Sequence, residues 1–169
     1  MSTLPLAFIT SKLLIYDKLS LNCSTPQLDL ESADYGGCSF ELQQHRILFR
    51  SAKITPTKIG QFVTLWQRSK QGPIEPFYLD DAFDFAVVCV SYDKRFGQFI
   101  FPKSVLFQKG ILSDPHREGK RAFRVYPAWD QPTSKQAQKT QDWQLNYFYE
   151  ISEGAPNEKT LLEIKEVLL

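Results

Sequence analysis

Apolar residues recur along this chain with two different periods, and the switches between them lay out the expected elements. Near the start, Leu6, Ile9, Leu13 and Tyr16 fall three or four apart, and Pro5 suits a first helical turn, so residues 5 to 18 predict a helix. Residues 19 to 36 carry Pro26, Asp29, Asp34, Gly36 and Gly37, a mixture that favours turns. Cys38 to Leu42 and Arg46 to Lys53 then alternate small or apolar with polar side chains about Gln43-Gln44-His45, which predicts a hairpin. Its period of two puts Ile47, Phe49, Ser51 and Lys53 on one face.

Past Pro56 and Thr57, residues Ile59, Phe62, Val63 and Trp66 stand at i, i+3, i+4 and i+7. That spacing predicts an amphipathic helix with Trp66 as the last member of its buried stripe. Gly72-Pro73 and Pro76 close the segment. From Phe83 to Val90 nearly every position is apolar, as in a strand covered on both faces, with Phe85, Val87 and Cys89 to one side and Ala86, Val88 and Val90 to the other. A strand over 96–101, a short helix opened by Pro102 and ended by Gly110, and a strand over 122–126 follow. A helix from about Thr133 to Tyr147 and an amphipathic one from Glu158 to Leu168 complete the order α, ββ, α, ββ, α, β, αα. This order predicts one domain over residues 1–169, of mixed α and β class, with a mixed sheet flanked by helices.

Composition narrows the setting. An apolar fraction of 43% and a charged fraction of 23% belong to a folded chain rather than a disordered one. The longest apolar run, Phe85 to Val90, is far shorter than the roughly 20 residues of a membrane span, and no export signal precedes the first helix, so a cytoplasmic protein is expected. Cys23, Cys38 and Cys89 fit neither a disulfide framework nor a zinc knuckle and read as reduced thiols. No phosphate-binding glycine loop, GxSxG elbow, HExxH or dinucleotide fingerprint is present.

Twenty basic against nineteen acidic residues leave a net charge of +1, so any affinity for anions must come from local clustering. Two clusters qualify. Arg50, Lys53, Thr55, Thr57, Lys58 and Gln61 span the end of the hairpin and the start of the expected helix, where free amides would favour an anion. Arg117, Lys120, Arg121, Arg124, Lys135 and Lys139 are opposed only by Glu118 and Asp130 and are interleaved with Phe123, Tyr126, Trp129 and Trp143, the mixture used for phosphate contact and base stacking. Lys120 and Arg121 alternate on a strand and cannot share a face. The plain alternative is a threonine cap, solvated lysines and core tryptophans. Acidic groups stand at Asp80, Asp81 and Asp84 and at Glu31 and Asp34, without a diagnostic metal spacing, and His45 and His116 lack a second zinc ligand.

Several long words are less generic: Asp34-Tyr35-Gly36-Gly37-Cys38, the run from Ala52 to Trp66, Phe99-Ile100-Phe101-Pro102-Lys103, Lys120 to Pro127, and Lys135 to Gln141. Through them the chain resembles the MepB-like family of small bacterial proteins. The resemblance implies a restriction-endonuclease-like fold, whose hydrolytic form needs an acid before the second core strand and a D/E-x-K at the end of the next, with carboxylates on the metal and the lysine steadying charge. Asp34 matches the first acid and Lys53 the lysine, but Ser51 occupies the acid's place two before Lys53. Glu31 or Glu41 would have to substitute, and Glu41 would pair with Arg46 on the opposite face from Lys53.

The leading expectation is thus a degenerate nuclease-fold protein that binds nucleic acid or another phosphate-bearing ligand through Lys53, Lys58, Gln61, Lys120, Arg121, Arg124, Lys135 and Lys139. A magnesium-dependent nuclease using Asp34, Glu31 and Lys53 is the second, with Asp34 and Glu31 as metal ligands. A protein-interaction or regulatory factor is the third.

Overall fold

A computed structural model describes residues 3–151 and 157–169. The chain opens with α1 (Leu6–Ser11), which continues as a π-helical stretch over Lys12–Tyr16 and buries Phe8, Ile15 and Tyr16. After β1 (Gln27–Leu28) and a 3₁₀ turn over Leu30–Tyr35 comes the hairpin of β2 (Cys38–Leu42) and β3 (His45–Ser51). Its two-residue turn holds Gln43 at a φ of 58°, and Glu41 faces Arg46 as the turn length requires. Four short strands follow: β4 (Lys53–Ile54), β5 (Gln61–Thr64), β6 (Trp66–Arg68) and β7 (Ile74–Pro76). The long strands β8 (Phe85–Tyr92) and β9 (Arg95–Pro102) lead into α2 (Lys103–Gln108). Then come β10 (Ala122–Val125), α3 (Lys135–Gln144) with a 3₁₀ turn, β11 (Phe148–Ile151) and α4 (Glu158–Leu168).

The main sheet has the order β1-β2-β3-β8-β9-β11, with β8 parallel to β3 and antiparallel to β9. Central placement is what an almost wholly apolar strand demands, since both its faces must be covered. Val87 and Cys89, with half-buried Phe85, join Phe8, Tyr16, Phe40, Phe49, Ile164 and Leu168 in one core, under the N-terminal helix and α4. Ala86, Val88 and Val90 join Val63, Phe99, Phe101, Leu106 and Val125 in the other. The expected sidedness of this strand is what the structure has. None of the helices among the described residues is long and apolar enough to cross a membrane.

The helix expected over Ile59 to Trp66 is instead strand. β5 is the middle of a second sheet ordered β10-β5-β4, and Trp66 starts the separate β6–β7 hairpin. The segment carries both periods at once: Gln61, Val63 and Leu65 are buried while Phe62, Thr64 and Trp66 are only half so. The β-branched and aromatic residues favour the pleated form, and β10 is there to pair with it. Gly60 settles the start of the strand: its φ is +86°, and a Cβ there would stand 2.6 Å from the Tyr126 ring. Trp66 is therefore not a core anchor. Neither β1, β6, β7 nor β11 was expected from the sequence; all are two to four residues long and bounded by residues of mixed polarity.

Candidate functional site

β10 is one-sided. Val125 lies in the core with Phe123 packed against it, whereas Ala122 and Arg124 point the other way by the period of two. Arg124 stands opposite Phe62 on β5, and Phe62 stands opposite Lys53 on β4, so the three form a row across the small sheet. The Arg124 guanidinium lies 5.9 Å from the Phe62 ring centre and donates to Thr55 Oγ1 at 2.7 Å. At the far end of the row the Lys53 ammonium sits 4.7 Å above the ring of Tyr35, which meets Phe62 edge-on.

The free edge of β10 is covered by α3. Fully buried Gln144 accepts from the Tyr126 amide at 2.8 Å and donates to the Arg124 carbonyl at 2.9 Å. One turn earlier, Gln141 donates to the carbonyls of Pro127 at 3.0 Å and Asp130 at 2.8 Å. Gln144 satisfies an edge that would otherwise invite another strand, and Gln141 ties the helix to the segment that follows β10. Ser134 caps the helix by accepting from the Ala137 amide at 3.1 Å.

Between β10 and α3 lies a cleft of about 340 Å³ carrying Lys109, Lys120, Arg124, Tyr126 and Trp143. At one end it shares Arg124, Tyr126 and Ser134 with a cleft of about 290 Å³ that adds Thr57 and Lys58. At the other it shares Lys109, Thr140 and Trp143 with a broader one of about 590 Å³ that adds Lys139 and Asp142. The result is a continuous groove along which Lys58, Arg124, Lys120, Lys109 and Lys139 succeed one another. Asp142 is the only carboxylate among the described residues that line it. Five cations against one carboxylate focus the field of the groove toward an anion.

Of the residues singled out in the sequence, the structure thus brings Lys58, Lys120, Arg124 and Lys139 together, and it removes others. Arg121 leaves β10 in the opposite direction, pairs with Glu118 at 3.1 Å and reaches toward the Ile74 carbonyl. Gln61 is 2% exposed and donates to the Ser91 carbonyl, which makes it part of the core rather than an anion contact. Lys135 is exposed at the start of α3 but does not line the groove, and Lys53 belongs to the aromatic row beside it. Arg50 is buried, paired with Asp29 at 3.1 Å, and its pKa is lowered by burial. Arg117 folds over the Phe107 ring and donates to the Phe107 carbonyl. Thr57 caps no helix, because none starts there. Lys109 escaped the sequence reading: it follows α2, eleven positions before Lys120, and only the docking of α3 carries it to the groove.

The acidic residues do not assemble. Both oxygens of Glu31 face the Arg68 guanidinium, the nearest contact being 2.7 Å, and this hydrogen bonding lowers the Glu31 pKa. Asp34 and Glu41 are exposed. Asp81 accepts from the Tyr78 amide and from Gln67, and Asp84 from the Arg46 amide, with His45 3.9 Å away. Ser51 lines a separate cleft beneath the N-terminal segment, near Gly36. Among the described residues no group of three or more His, Cys, Asp or Glu is placed to hold a metal ion, and of the two magnesium ligands that the resemblance implies, Asp34 is exposed and Glu31 is paired with Arg68.

The sequence model of the MepB-like family matches residues 29–150, a span that contains all five cations of the groove. A crystal structure of MepB is similar at 34% identity with a TM-score of 0.74, over 76% of this chain and 86% of that one. No curated protein matches the chain.

Proposed function

We propose that this chain, which belongs to the MepB-like family, binds nucleic acid along the groove between β10 and α3. One observation carries the reading: Lys58, Arg124, Lys120, Lys109 and Lys139 follow one another along a single groove in a protein whose net charge is +1. The cations contact phosphates, and the capped start of α3 adds free amides at the side of the groove. Trp143 and Tyr126 supply flat apolar surface between the charges.

The hairpin β2–β3 with β3 parallel to β8 is compatible with a nuclease-derived core, but hydrolysis is not part of the proposal. Ser51 replaces the expected acid, and Glu31 is held by Arg68.

The test is fluorescence anisotropy with a labelled oligonucleotide at low salt. Binding is expected to weaken steeply as salt rises, with a log–log slope of about −2 to −4 if three to five phosphates are neutralised. Lys109→Glu combined with Lys120→Glu should abolish it. Absence of binding at low salt sinks the proposal and leaves a protein-interaction role. Cleavage of the oligonucleotide with magnesium or manganese would replace it with the nuclease reading.

A further inference from the structure

Resting on the groove as a nucleic-acid site, we infer that it selects single strands over duplex, with Trp143 as the platform on which one unpaired base stacks. Trp143 is half-buried and lines both the central cleft and the broader one beside it, so its ring is reached from either. Its inner side is anchored against Phe101, with ring centres 5.6 Å apart. The helix that carries it is locked to β10 through Gln144 and to the segment after it through Gln141, which makes the ring a preformed surface with little freedom left to lose on binding.

The Lys109 ammonium lies 5.3 Å from the Trp143 ring centre. A comparison with Trp129 shows why this contact is open to exchange. The Arg95 guanidinium sits 4.9 Å from the Trp129 ring, but it is held there by Glu150 at 2.6 Å, a closed structural arrangement. Lys109 makes no ion pair among the described residues. Its flexible stem can swing the ammonium from the ring to a phosphate and free the ring for a base.

Cations precede and follow the ring, Lys120 on the β10 side and Lys139 on the α3 side, so phosphates on both sides of a stacked nucleotide find a partner. A duplex keeps its base faces stacked on one another and offers only phosphates, and a central cleft of about 340 Å³ has room for single nucleotides rather than two strands. Because every base has a π face, the preference is for strandedness and not for sequence.

The experiment compares a labelled oligo-dT single strand with a duplex of equal length, using the full chain. The single strand should bind at least about ten-fold more tightly. Trp143→Leu should lose about ten-fold for the single strand, leave duplex affinity and the salt slope unchanged, and be largely rescued by Trp143→Phe. Lys120→Glu should weaken both ligands and flatten the slope. Equal affinity of the wild-type protein for the two ligands overturns the inference without touching the groove, as does a folded Trp143→Leu variant that binds the single strand normally. Failure of both ligands to bind overturns the groove itself.

Discussion

The six-stranded and three-stranded sheets use the same alternation of side chains to opposite ends. In the large sheet both faces of β8 meet apolar layers, so every residue from Ala86 to Val90 is spent on packing. In the small sheet, β5 buries one face fully and the other only by half. Val63 and Val125 go inward to the shared core, while Phe62 and Arg124 on the same strands face outward, in a row with Lys53. Chemistry is available where a sheet has only one fully covered face, and the edge beside it becomes a groove because α3 satisfies that edge with the Gln144 amide instead of another strand.

Substitutions in the two regions should therefore differ in kind. The largest loss is expected at Phe99, which is fully buried on β9 and packed against Phe101 and Phe148; Phe99→Ala should cost about 3 to 5 kcal/mol in urea denaturation. A cost under half of that would mean that the β9 core is not the rigid layer described. Gln144→Ala leaves a buried amide and a carbonyl of β10 unpaired, so a loss of about 2 kcal/mol is expected together with weaker oligonucleotide binding. Normal binding by that variant would show that the groove does not depend on the anchored edge.

A pH effect is expected in the large sheet. Burial pushes the thiols of Cys38 and Cys89 up to about 12 from an ordinary value of 9.0. Folded pKa values above the unfolded one mean that the stabilisation is whole below pH 9 and is lost as pH rises toward 12. The free energy of unfolding should fall above pH 9, by on the order of 1 to 2 kcal/mol per thiol at pH 10. A thiol reagent at pH 8 should leave both cysteines unmodified until the protein unfolds. Trp66→Ala, outside both cores, should cost only about 1 kcal/mol. Smallest of all, Lys120→Glu should leave the denaturation midpoint unchanged while it weakens polyanion binding, since its side chain is exposed beside the groove.

Much of the scaffold was legible because its signals are local. The apolar run of β8, the turn between Leu42 and His45 that pairs Glu41 with Arg46, and the stop at Gly110 each depend on residues close together in the chain. Ile59 to Trp66 was misread for the complementary reason: its pattern satisfies both periods, and pairing with β10, some sixty residues later, decided between them. The groove was half legible. The basic and aromatic cluster after residue 117 marked it, and the alternation of Lys120 with Arg121 warned that one of the two would turn away, but not which.

By itself the sequence determined the mixed class, the buried central strand with its two sides, the family and a local excess of cations. Those properties follow from which residue types stand within a few positions of one another. Only the tertiary structure decided which cations share a surface. Arg124 meets Thr55 across 69 positions, Lys109 reaches Trp143 only because α3 docks on β10, and Gln61 disappears into the core. Each of these depends on burying apolar layers and satisfying a strand edge at long range, and a pattern read along the chain does not contain the partner that such burial requires.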